Sequence, residues 1–450
     1  MKGDRQSKRV MTGEMRGQVC RSTLWASVVL GPLALGSGAA FGQADQFALS
    51  EDTAVDEDAG IRVPEGFDAK VFAEGVGRAR HIAVRDNGDV YVALREAMPE
   101  GGVAALRDED GDGAADQVQY FGGHAGTGIA IHDGFLYASS DDAIYRYPLP
   151  EGEALVPDSG PETVVEGFPQ QRSHASKAFT IDDSGNLFVN VGAPSNACQE
   201  RDPTLGSPGR EPCPLLENHA GIWRFDANKT DQTFEDGERH VTGTRNILAL
   251  DWNPIAGELY FVMHGRDQLH ELFPDLYTVE ESAELPAEEL HVVREGANYG
   301  WPYTYWDHLA GARVAAPEYG GDGETVAEDG EYEAPLLTFP GHWAPNDLLF
   351  YTGEGAFPEA ARGSALIVFH GSWNRAPLPQ EGYNVVFVPF EGAEPTGEWS
   401  VFADGFKGAE VLHDRDDAEF RPMGLAQGPD GALYITDSVQ GRIWRVTHEG

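Results

Sequence analysis

Six copies of one short pattern, in which an apolar strand enters a turn and a second apolar strand leaves it, constrain the fold of this chain. The turn of each copy contains a glycine, which can supply the positive φ that tight hairpin turns need. The turn glycines are Gly88, Gly134, Gly185, Gly257, Gly363 and Gly431, at intervals of 46, 51, 72, 106 and 68 residues. Recurrence at roughly 45 residues or more is typical of the four-stranded blades of a β-propeller. The pattern therefore predicts an all-β chain that folds as a six-bladed β-propeller over residues 61–450.

Two details of the pattern leave room for other arrangements. The widest interval, between Gly257 and Gly363, could hold a seventh blade, but long loops at 276–290 and 306–335 account for it more simply. A solenoid would show shorter periods, and a β-sandwich seldom fills a chain of this length. The strand-like segment 71–75, VFAEG, is expected to pair with the last blade and so to close the ring.

The first 44 residues have the composition of a secretory signal peptide. Basic residues precede an apolar run at 24–40, which small residues follow. We expect cleavage after about Ala44, and Met11 and Met15 are alternative start residues because the basic stretch is long. A membrane anchor is the alternative, although glycine and proline interrupt a run that is short for a bilayer. The mature chain is expected to be periplasmic or secreted, with no membrane span once the signal is removed.

Charge restricts the partners of this chain. The sequence has 32 basic and 74 acidic residues, for a formal net charge of −42. Such a field repels nucleic acids and anionic membranes, so neither class of partner is expected. Where arginines gather in so acidic a protein, an anionic ligand is expected instead. Residues 45–60 are also acidic and lack a hydrophobic period, which predicts a loose leader ahead of the propeller.

Two cysteines remain in the mature chain, because Cys20 lies in the predicted signal peptide. A pair in an exported protein favours a disulfide, here between Cys198 and Cys213, that closes a small loop. Two free thiols are the alternative.

Candidate site residues stand near the starts of the repeats, where loops from several blades can meet on the axis of a propeller. His174 precedes the third repeat, and as a neutral imidazole it can accept a proton near neutral pH. Arg245 and Asn246 precede the fourth repeat, and a guanidinium beside an amide suits a carboxylate. Arg375 follows a strand of the fifth repeat and Arg421 precedes the sixth. Three arginines at blade entrances point to a ligand with several carboxylates.

Two other segments offer oxygen ligands to a cation. Gly265, in MHGRDQL, can bend the backbone so that consecutive carbonyls point one way. A second segment, RDEDGDGAAD, has the spacing of a Ca²⁺ loop and lacks the bidentate glutamate that ends an EF-hand. Its candidate ligands are Asp108, Asp110, Asp112 and Asp116. A structural Ca²⁺ and a merely acidic turn both remain open for this loop.

An ordered set of motifs resembles a known family. The segments HASKAFTIDDSGNLFVNVG, GTRN, GRDQL, REGANYGWP, FHGSWNRAP and RPMGLAQGPDGALYITD occur in this order within residues 62–447. The set is similar to the soluble sugar dehydrogenases that depend on pyrroloquinoline quinone (PQQ), and most closely to the L-sorbosone dehydrogenase-like branch. The resemblance implies a six-bladed propeller with PQQ near the axis and Ca²⁺ bound against it.

The resemblance also implies roles for individual residues. His174 matches the catalytic base, and the backbone carbonyls of Gly265 and Arg266 fall where the family holds the site Ca²⁺. The residues implied to bind PQQ are Arg245, Asn246 and Arg421, with Arg375 and His124 as looser matches. The chain departs from the glucose-oxidising members at Ala193, where they carry an aspartate, so Asn196 becomes a candidate for orienting His174. It also has Met423 where they carry a second PQQ arginine.

The implied function is that of an exported PQQ- and Ca²⁺-dependent oxidoreductase. It would oxidise a sugar or sugar-derived aldehyde of the L-sorbosone or aldose class, with hydride passing to PQQ and His174 as the general base. The sequence has no CxxCH motif for haem attachment, so electrons are expected to pass to a separate acceptor. One alternative is a Ca²⁺-dependent propeller hydrolase of the lactonase type, which would need carboxylates on the axis. The other is a sugar-binding propeller without catalysis.

Overall fold

Antiparallel strands make up most of the structure, a computed structural model that describes residues 45–50, 52–150, 152, 154–328, 330–353 and 357–449. The predicted signal peptide lies outside the described residues. In chain order the strands are β1 (Phe67–Ala73), β2 (Ala79–Val84), β3 (Val90–Met98), β4 (Gly101–Arg107), β5 (Gln117–Phe121), β6 (Ile129–His132), β7 (Phe135–Ser139), β8 (Ala143–Pro148), β9 (Glu162–Glu166), β10 (Phe179–Ile181), β11 (Asn186–Val191), β12 (Gly221–Asp226), β13 (Gln232–Thr233), β14 (Glu238–Thr242), β15 (Ile247–Asn253), β16 (Glu258–Met263), β17 (Glu288–Val292), β18 (Thr304–Asp307), β19 (Ala312–Ala315), β20 (Leu337–Phe339), β21 (Pro345–Phe350), β22 (Ala365–Phe369), β23 (Asn384–Val388), β24 (Phe390–Glu391), β25 (Glu394–Pro395), β26 (Ser400–Ala403), β27 (Pro422–Gln427), β28 (Leu433–Asp437) and β29 (Ile443–His448).

Helices are few and short among the described residues. The two α-helices are α1 (Leu269–Leu272) and α2 (Val279–Glu284). The 3₁₀ turns are Pro214–Glu217, Phe234–Asp236, Pro317–Tyr319, Glu359–Ala361 and Arg415–Asp417. No helix in the described part of the chain is both long enough and apolar enough to cross a bilayer.

Six sheets of four main strands form the blades, which confirms the predicted six-bladed β-propeller. Blade one is β2–β5, and blade two is β6–β9 with β13 added at its outer edge. Blades three, four and five are β10-β11-β12-β14, β15-β16-β17-β20 and β21-β22-β23-β26. Blade six is β27-β28-β29 with β1 as its outer strand. The wide interval after Gly257 carries the small β18–β19 sheet and loops, rather than a seventh blade.

Ring closure follows the expected pairing. β1 runs antiparallel to β29, from Phe67 opposite His448 to Ala73 opposite Ile443. The first described strand is therefore joined to the last by main-chain hydrogen bonds, which leaves no gap between the ends of the ring.

The repeat has a direct structural cause at its turns. Gly88 and Gly134 adopt φ of 90° and 79°, values that L side chains rarely tolerate. Each of these turns returns the chain antiparallel to the inner strand of its blade. The pattern visible in the sequence is therefore the hairpin between the first and second strand of each blade.

The hydrophobic core lies between neighbouring blades. Val90 and Val92 of blade one pack with Tyr434 and Ile443 of blade six, and all four side chains are buried. Strands with both faces covered in this way become apolar throughout, as β22 is. Packing of blade on blade holds the six inner strands β2, β6, β10, β15, β21 and β27 around one axis.

A small apolar cluster blocks this axis near the starts of the inner strands. It consists of Ala178, Leu248 and Met423, from blades three, four and six, and Asn346 donates a hydrogen bond to Met423 Sδ at 3.0 Å. Further along the inner strands lies a cavity of about 230 Å³, lined by residues of all six blades. Met423 thus forms part of an apolar floor.

Two carboxylates in this cavity link adjacent inner strands. Asp251 of blade four accepts a hydrogen bond from the Phe350 amide of blade five at 2.9 Å. Asp347 of blade five accepts one from the Leu425 amide of blade six, also at 2.9 Å. These bonds satisfy amides that point across the boundary between blades.

The segment 45–60 differs from the loose leader that its composition predicts. Phe47 is buried and stacks on Phe387 with ring centroids 4.0 Å apart. The Leu49 amide donates to the Val401 carbonyl at 3.0 Å, and Trp444 Nε1 donates to the Ala59 carbonyl at 2.8 Å. These contacts bind the segment to blades five and six, because a few apolar residues among the acidic ones find pockets there.

The Asp251 carboxylate should make stability depend on pH. Burial raises the pKa of Asp251 to about 7, although the amides of Phe350 and Trp252 oppose the shift. The folded state then holds a proton that the unfolded state has already lost above about pH 4, so the free energy of unfolding should fall as pH rises from about 4 to about 7. Asp251→Asn removes this titration. Chemical denaturation of both proteins across that range should show a shallower decline for the variant, and parallel curves would contradict the assignment.

Candidate functional site

Loops from blades three to six meet at one end of the axis. Met263, which ends β16, pairs with Ile247 at the start of β15, and Phe369, which ends β22, pairs with Pro345 at the start of β21. The segments before β15 and β21 therefore lie at the same end of the molecule as those after β16 and β22. The predicted residues at this end of the axis, next to the apolar cluster that contains Met423, are His174, Arg245, Asn246, Gly265 and Arg421.

His174 is held by a main-chain oxygen. Its Nδ1 lies 2.6 Å from the Ala193 carbonyl oxygen. Because a carbonyl can only accept, Nδ1 must carry the proton, and Nε2 then presents a lone pair. Within the described residues no hydrogen bond reaches Nε2. The imidazole is thus oriented as a proton acceptor toward the axial space.

The charge state of His174 suits that role. Burial lowers the pKa of His174 to about 3, and the Arg245 guanidinium adds to the effect. The side chain is therefore neutral at physiological pH, and its single N–H, on Nδ1, is the one that binds the Ala193 carbonyl.

Asn196, the candidate for orienting His174, has a different task. Its side chain forms two hydrogen bonds with the main chain of Asp267, from Nδ2 to the carbonyl at 2.7 Å and from the Asp267 amide to Oδ1 at 2.9 Å. The expectation that Asn196 orients His174 is therefore wrong, since the Ala193 carbonyl already binds Nδ1. The acceptor at position 193 is the main-chain carbonyl of Ala193, so no side chain is needed there to orient His174.

Arg245 and Asp267 form a buried ion pair beside His174. Arg245 Nη2 lies 2.6 Å from Asp267 Oδ2, and Nη1 donates to the Gly265 carbonyl at 2.8 Å. Burial raises the pKa of Asp267, but Arg245 and His342 outweigh it and hold the value far below its usual range. The carboxylate is therefore ionised, and the Gly265 carbonyl already faces a positive charge.

Asp267 joins two blades at the centre of the site. Its Oδ1 accepts a hydrogen bond from Asn374 Nδ2 at 2.6 Å and lies 3.4 Å from His342 Nδ1. Burial lowers the pKa of His342, but the contact with Asp267 outweighs it and raises the value. Neither Asp267, His342 nor Asn374 stands out in the sequence.

Glu288 fixes the backbone on both sides of this group. Its two oxygens accept hydrogen bonds from the Gly265 amide at 2.8 Å and the Ala344 amide at 3.0 Å. His342 and Ala344 both have positive φ, of 68° and 62°. The buried carboxylate thus holds a loop in a conformation that its residue types disfavour.

Arg266 turns its side chain away from the axis. Its guanidinium forms a fully buried ion pair with Glu318, and Glu318 also accepts from Gln199 Nε2 at 3.3 Å. The main chain of Arg266 follows directly after Gly265, and it is the main-chain carbonyl, rather than the side chain, that the family resemblance implies as a Ca²⁺ ligand.

Arg421 contributes a positive charge that no carboxylate neutralises among the described residues. It donates to the carbonyls of His370 and Gly371, at 3.1 and 2.6 Å, and its guanidinium lies 5.7 Å from the centre of the Tyr383 ring. Arg80, at the start of blade one, donates to Thr127 Oγ1 at 3.2 Å and likewise has no carboxylate within ion-pair distance in the described chain. Burial and the neighbouring arginines, including Arg421, together lower the pKa of Arg80 to about 9.

Buried polar atoms without a partner mark the space between these side chains. Such atoms are Arg245 Nε, Asn246 Oδ1, His264 Nε2 and Asn374 Oδ1. Buried polar groups are normally hydrogen-bonded, so several orphans at one place indicate a missing polar ligand or water. Only glycine fits at position 192, because a Cβ there would lie 2.7 Å from His174 Cβ and 2.9 Å from Asn246 Oδ1.

Two predicted ligand residues do not join the group. Arg375 is buried, and its guanidinium contacts Glu284 at 2.7 Å and the Ala283 and Gly341 carbonyls at 3.1 Å. It supports the loop that carries His342 rather than facing the axis. His124 is exposed and stacks on Tyr145 with ring centroids 3.9 Å apart.

The acidic loop of blade one brings together three of its four predicted ligands. Carboxylate oxygens of Asp108, Asp110 and Asp116 lie within 4.8 Å of one another. Asp112 is not in this group, and its Oδ1 accepts a hydrogen bond from the Ala114 amide at 2.8 Å. A structural Ca²⁺ in this loop stays a prediction.

The disulfide is formed as expected. Cys198 and Cys213 are bonded, with 6.2 Å between their Cα atoms. Both are buried beside Ala193 and Trp301, next to the segment that holds His174.

The fold and the site define a class of protein, the six-bladed propellers with a polar, positively charged site at one end of the axis. A sequence model of the TrAA12-like family matches residues 61–449. The chain therefore belongs to this family of PQQ-dependent sugar dehydrogenases.

Proteins similar to this chain share its length and fold. A protein of Borreliella burgdorferi without an assigned activity is 24% identical over 405 residues, 86% of this chain and 91% of that protein. A Trichoderma reesei enzyme of carbohydrate-active family AA12 superposes with a TM-score of 0.71 at 22% identity, covering 89% of this chain and 100% of that one. The PQQ domain of a pyranose dehydrogenase from Coprinopsis cinerea gives 0.70 at 19% identity, covering 88% and 99%. At these identities the structures establish the propeller.

The neutral state of His174 can be tested by NMR. Its imidazole should remain uncharged from about pH 8 down to about pH 5, because its pKa lies well below the usual histidine value of ~6.5. Arg245→Gln removes the nearby positive charge, so the pKa should rise yet stay below that value because burial persists. Arg294→Gln, at an exposed ion pair with Glu258, is the matched control and should leave the signal unchanged. Titration of wild-type His174 near pH 6.5 would contradict the described burial.

Proposed function

We propose that this protein is an exported dehydrogenase that uses PQQ and Ca²⁺ to oxidise a sugar or a sugar-derived aldehyde of the L-sorbosone or aldose class. The observation that carries the proposal is the surplus of positive charge at the axial site. Among the described residues, no carboxylate lies within ion-pair distance of the Arg80 or Arg421 guanidinium, and Arg245 Nε is buried without a partner. A small molecule with several carboxylates would complete such a site.

The residues present fit PQQ by their chemistry. Arg245, Arg421 and Arg80 are suited to its carboxylates, and the free Asn246 Oδ1 and His264 Nε2 can bind polar ring atoms. The Gly265 carbonyl, which accepts a hydrogen bond from the Arg245 guanidinium, has a second lone pair that is suited to a cation at this site. When bound, PQQ would supply the hydride acceptor and Ca²⁺ a Lewis acid beside it.

His174 performs the proton step in this mechanism. Its Nε2 lone pair accepts the proton of the substrate hydroxyl, or of an aldehyde hydrate, as the hydride leaves the adjacent carbon. Nδ1 keeps its proton and its bond to the Ala193 carbonyl throughout. The ionised Asp267 nearby favours the imidazolium that results and so partly opposes the larger effect of Arg245 on the pKa of His174.

The surroundings favour this function over hydrolysis. A lactonase-type propeller needs carboxylates that are free to bind metal and water, whereas Asp267 is occupied by Arg245 and Asn374, and Glu288 by two amides. Electrons would leave to a separate acceptor, and the predicted signal peptide would place the enzyme in the periplasm or outside the cell.

The deciding experiment reconstitutes the purified protein with PQQ and Ca²⁺ and follows dye reduction with a panel of aldoses and aldehydes. We expect turnover only with both additions. His174→Gln should lower kcat by ~10²–10⁴-fold, the usual contribution of a general base, while PQQ still binds. Lactone hydrolysis without PQQ would support a hydrolase, and sugar binding without turnover would support a binding protein.

Arg421 should contribute to cofactor affinity. Loss of a hydrogen bond between charged groups costs about 1.5–3 kcal/mol, so Arg421→Gln should weaken PQQ binding by about tenfold or more. Arg294→Gln, at the exposed pair with Glu258, is the control of equal chemistry and should bind PQQ like wild type. Isothermal titration with and without chelator measures both effects. Equal affinity in the two variants, or affinity unchanged by chelator, would contradict the proposed site.

A further inference from the structure

The segment between β11 and β12 lies directly against the imidazole of His174. Ala193 uses both polar groups of its backbone there, because its carbonyl binds His174 Nδ1 and its amide donates to the Arg245 carbonyl at 2.7 Å. Any shift of this residue would move the two loops that carry the proton acceptor and the central guanidinium. What fixes Ala193 therefore also fixes the site.

A buried cluster packs against the far side of Ala193. Its members are Ala193, Cys198, Cys213, Ala220 and Trp301, each at most 5% exposed. The disulfide and the indole ring are the two large groups in this cluster, so they fill the space that Ala193 would otherwise move into.

Hydrogen bonds connect the same groups to the site. Trp301 Nε1 donates to the Asn196 carbonyl at 2.9 Å, while the Asn196 side chain binds the Asp267 main chain. The Cys198 amide donates to Ser195 Oγ at 2.7 Å. Cys198 has a φ of 53°, which is uncommon for a residue other than glycine and must be held by its surroundings.

The blade itself does not depend on this bridge. Strands β11 and β12 are paired at six positions, from Asn186 opposite Asp226 to Val191 opposite Gly221. The disulfide lies wholly within the connection between them, at a sequence separation of 15, and joins no two blades. Its effect is therefore confined to the connection that carries Ala193.

We propose that the Cys198–Cys213 disulfide, together with Trp301, positions the Ala193 carbonyl and thereby the imidazole of His174. The three residues are positioning residues, since they touch His174 only through Ala193. The kinetic part of this inference rests on the proposed role of His174 as a base, whereas the geometric part does not. Reduction of the bridge would leave the propeller folded and the proton acceptor misplaced.

The test compares wild type with Cys198→Ser/Cys213→Ser and follows the His174 imidazole by NMR titration without any cofactor. We expect its pKa to rise from about 3 toward the usual histidine value, because a looser Ala193 admits water to the ring. After reconstitution with PQQ and Ca²⁺, kcat should fall by about tenfold, a partial loss of the contribution of a base, with KM changed by less than about twofold.

Trp301→Phe keeps the bridge, removes the indole N–H that binds Asn196 and reduces the volume of the ring, so it should shift the pKa of His174 in the same direction by less. Trp252→Phe is the matched control, because Trp252 Nε1 is buried without a partner and lies on β15 away from this cluster. If the double variant does not fold, wild-type protein treated with a phosphine reductant replaces it in both measurements.

The outcomes separate this inference from the proposed function. A His174 titration that is unchanged after loss of the bridge, with lower thermal stability alone, would overturn the positioning role. A shifted titration in a protein that never oxidises a sugar would support the positioning role and contradict the proposed function.

Discussion

The antiparallel pairing of β1 with β29 is the contact on which the site depends. The axial residues come from segments more than 200 residues apart, such as Arg80 and Arg421, and they share a space only because the ring is closed. Closure also allows each inner strand to pack against its two neighbours, so the ends of these strands are held at set distances from the axis. The segment 45–60 strengthens this closure, because Ala59 binds Trp444 of the last strand.

Charge is distributed unevenly between the shell and the hub. A formal net charge of −42 is spread over the chain, yet Arg80, Arg245 and Arg421 gather where the strands begin. Among the described residues, Asp267 is the only carboxylate within ion-pair distance of these three guanidinium groups, and it is shared between Arg245, His342 and Asn374. A site of this kind attracts anions at short range within a molecule that repels them at long range.

Much of this arrangement follows from local patterns in the sequence. The blades were predictable because each hairpin records its own turn, and His174, Arg245 and Arg421 because they stand before inner strands. Asp267, His342 and Asn374 were not, since their meeting depends on where two loops bend after β16 and before β21. His342 and Ala344 both have positive φ, and the bond from the Ala344 amide to Glu288, which no short motif reveals, helps to hold this loop. Arg375 was predicted to face the axis because, like Arg421, it stands near a blade entrance. Its guanidinium instead forms an ion pair with Glu284.

The apolar floor made by Ala178, Leu248 and Met423 has a consequence for access to the site. The buried side chains of these three residues, which come from blades three, four and six, lie between the arginine-lined end of the axis and the cavity that contains Asp251 and Asp347. Under the proposed function, the substrate and the electron acceptor would both approach the site from the arginine-lined end, so one would have to leave before the other could come close.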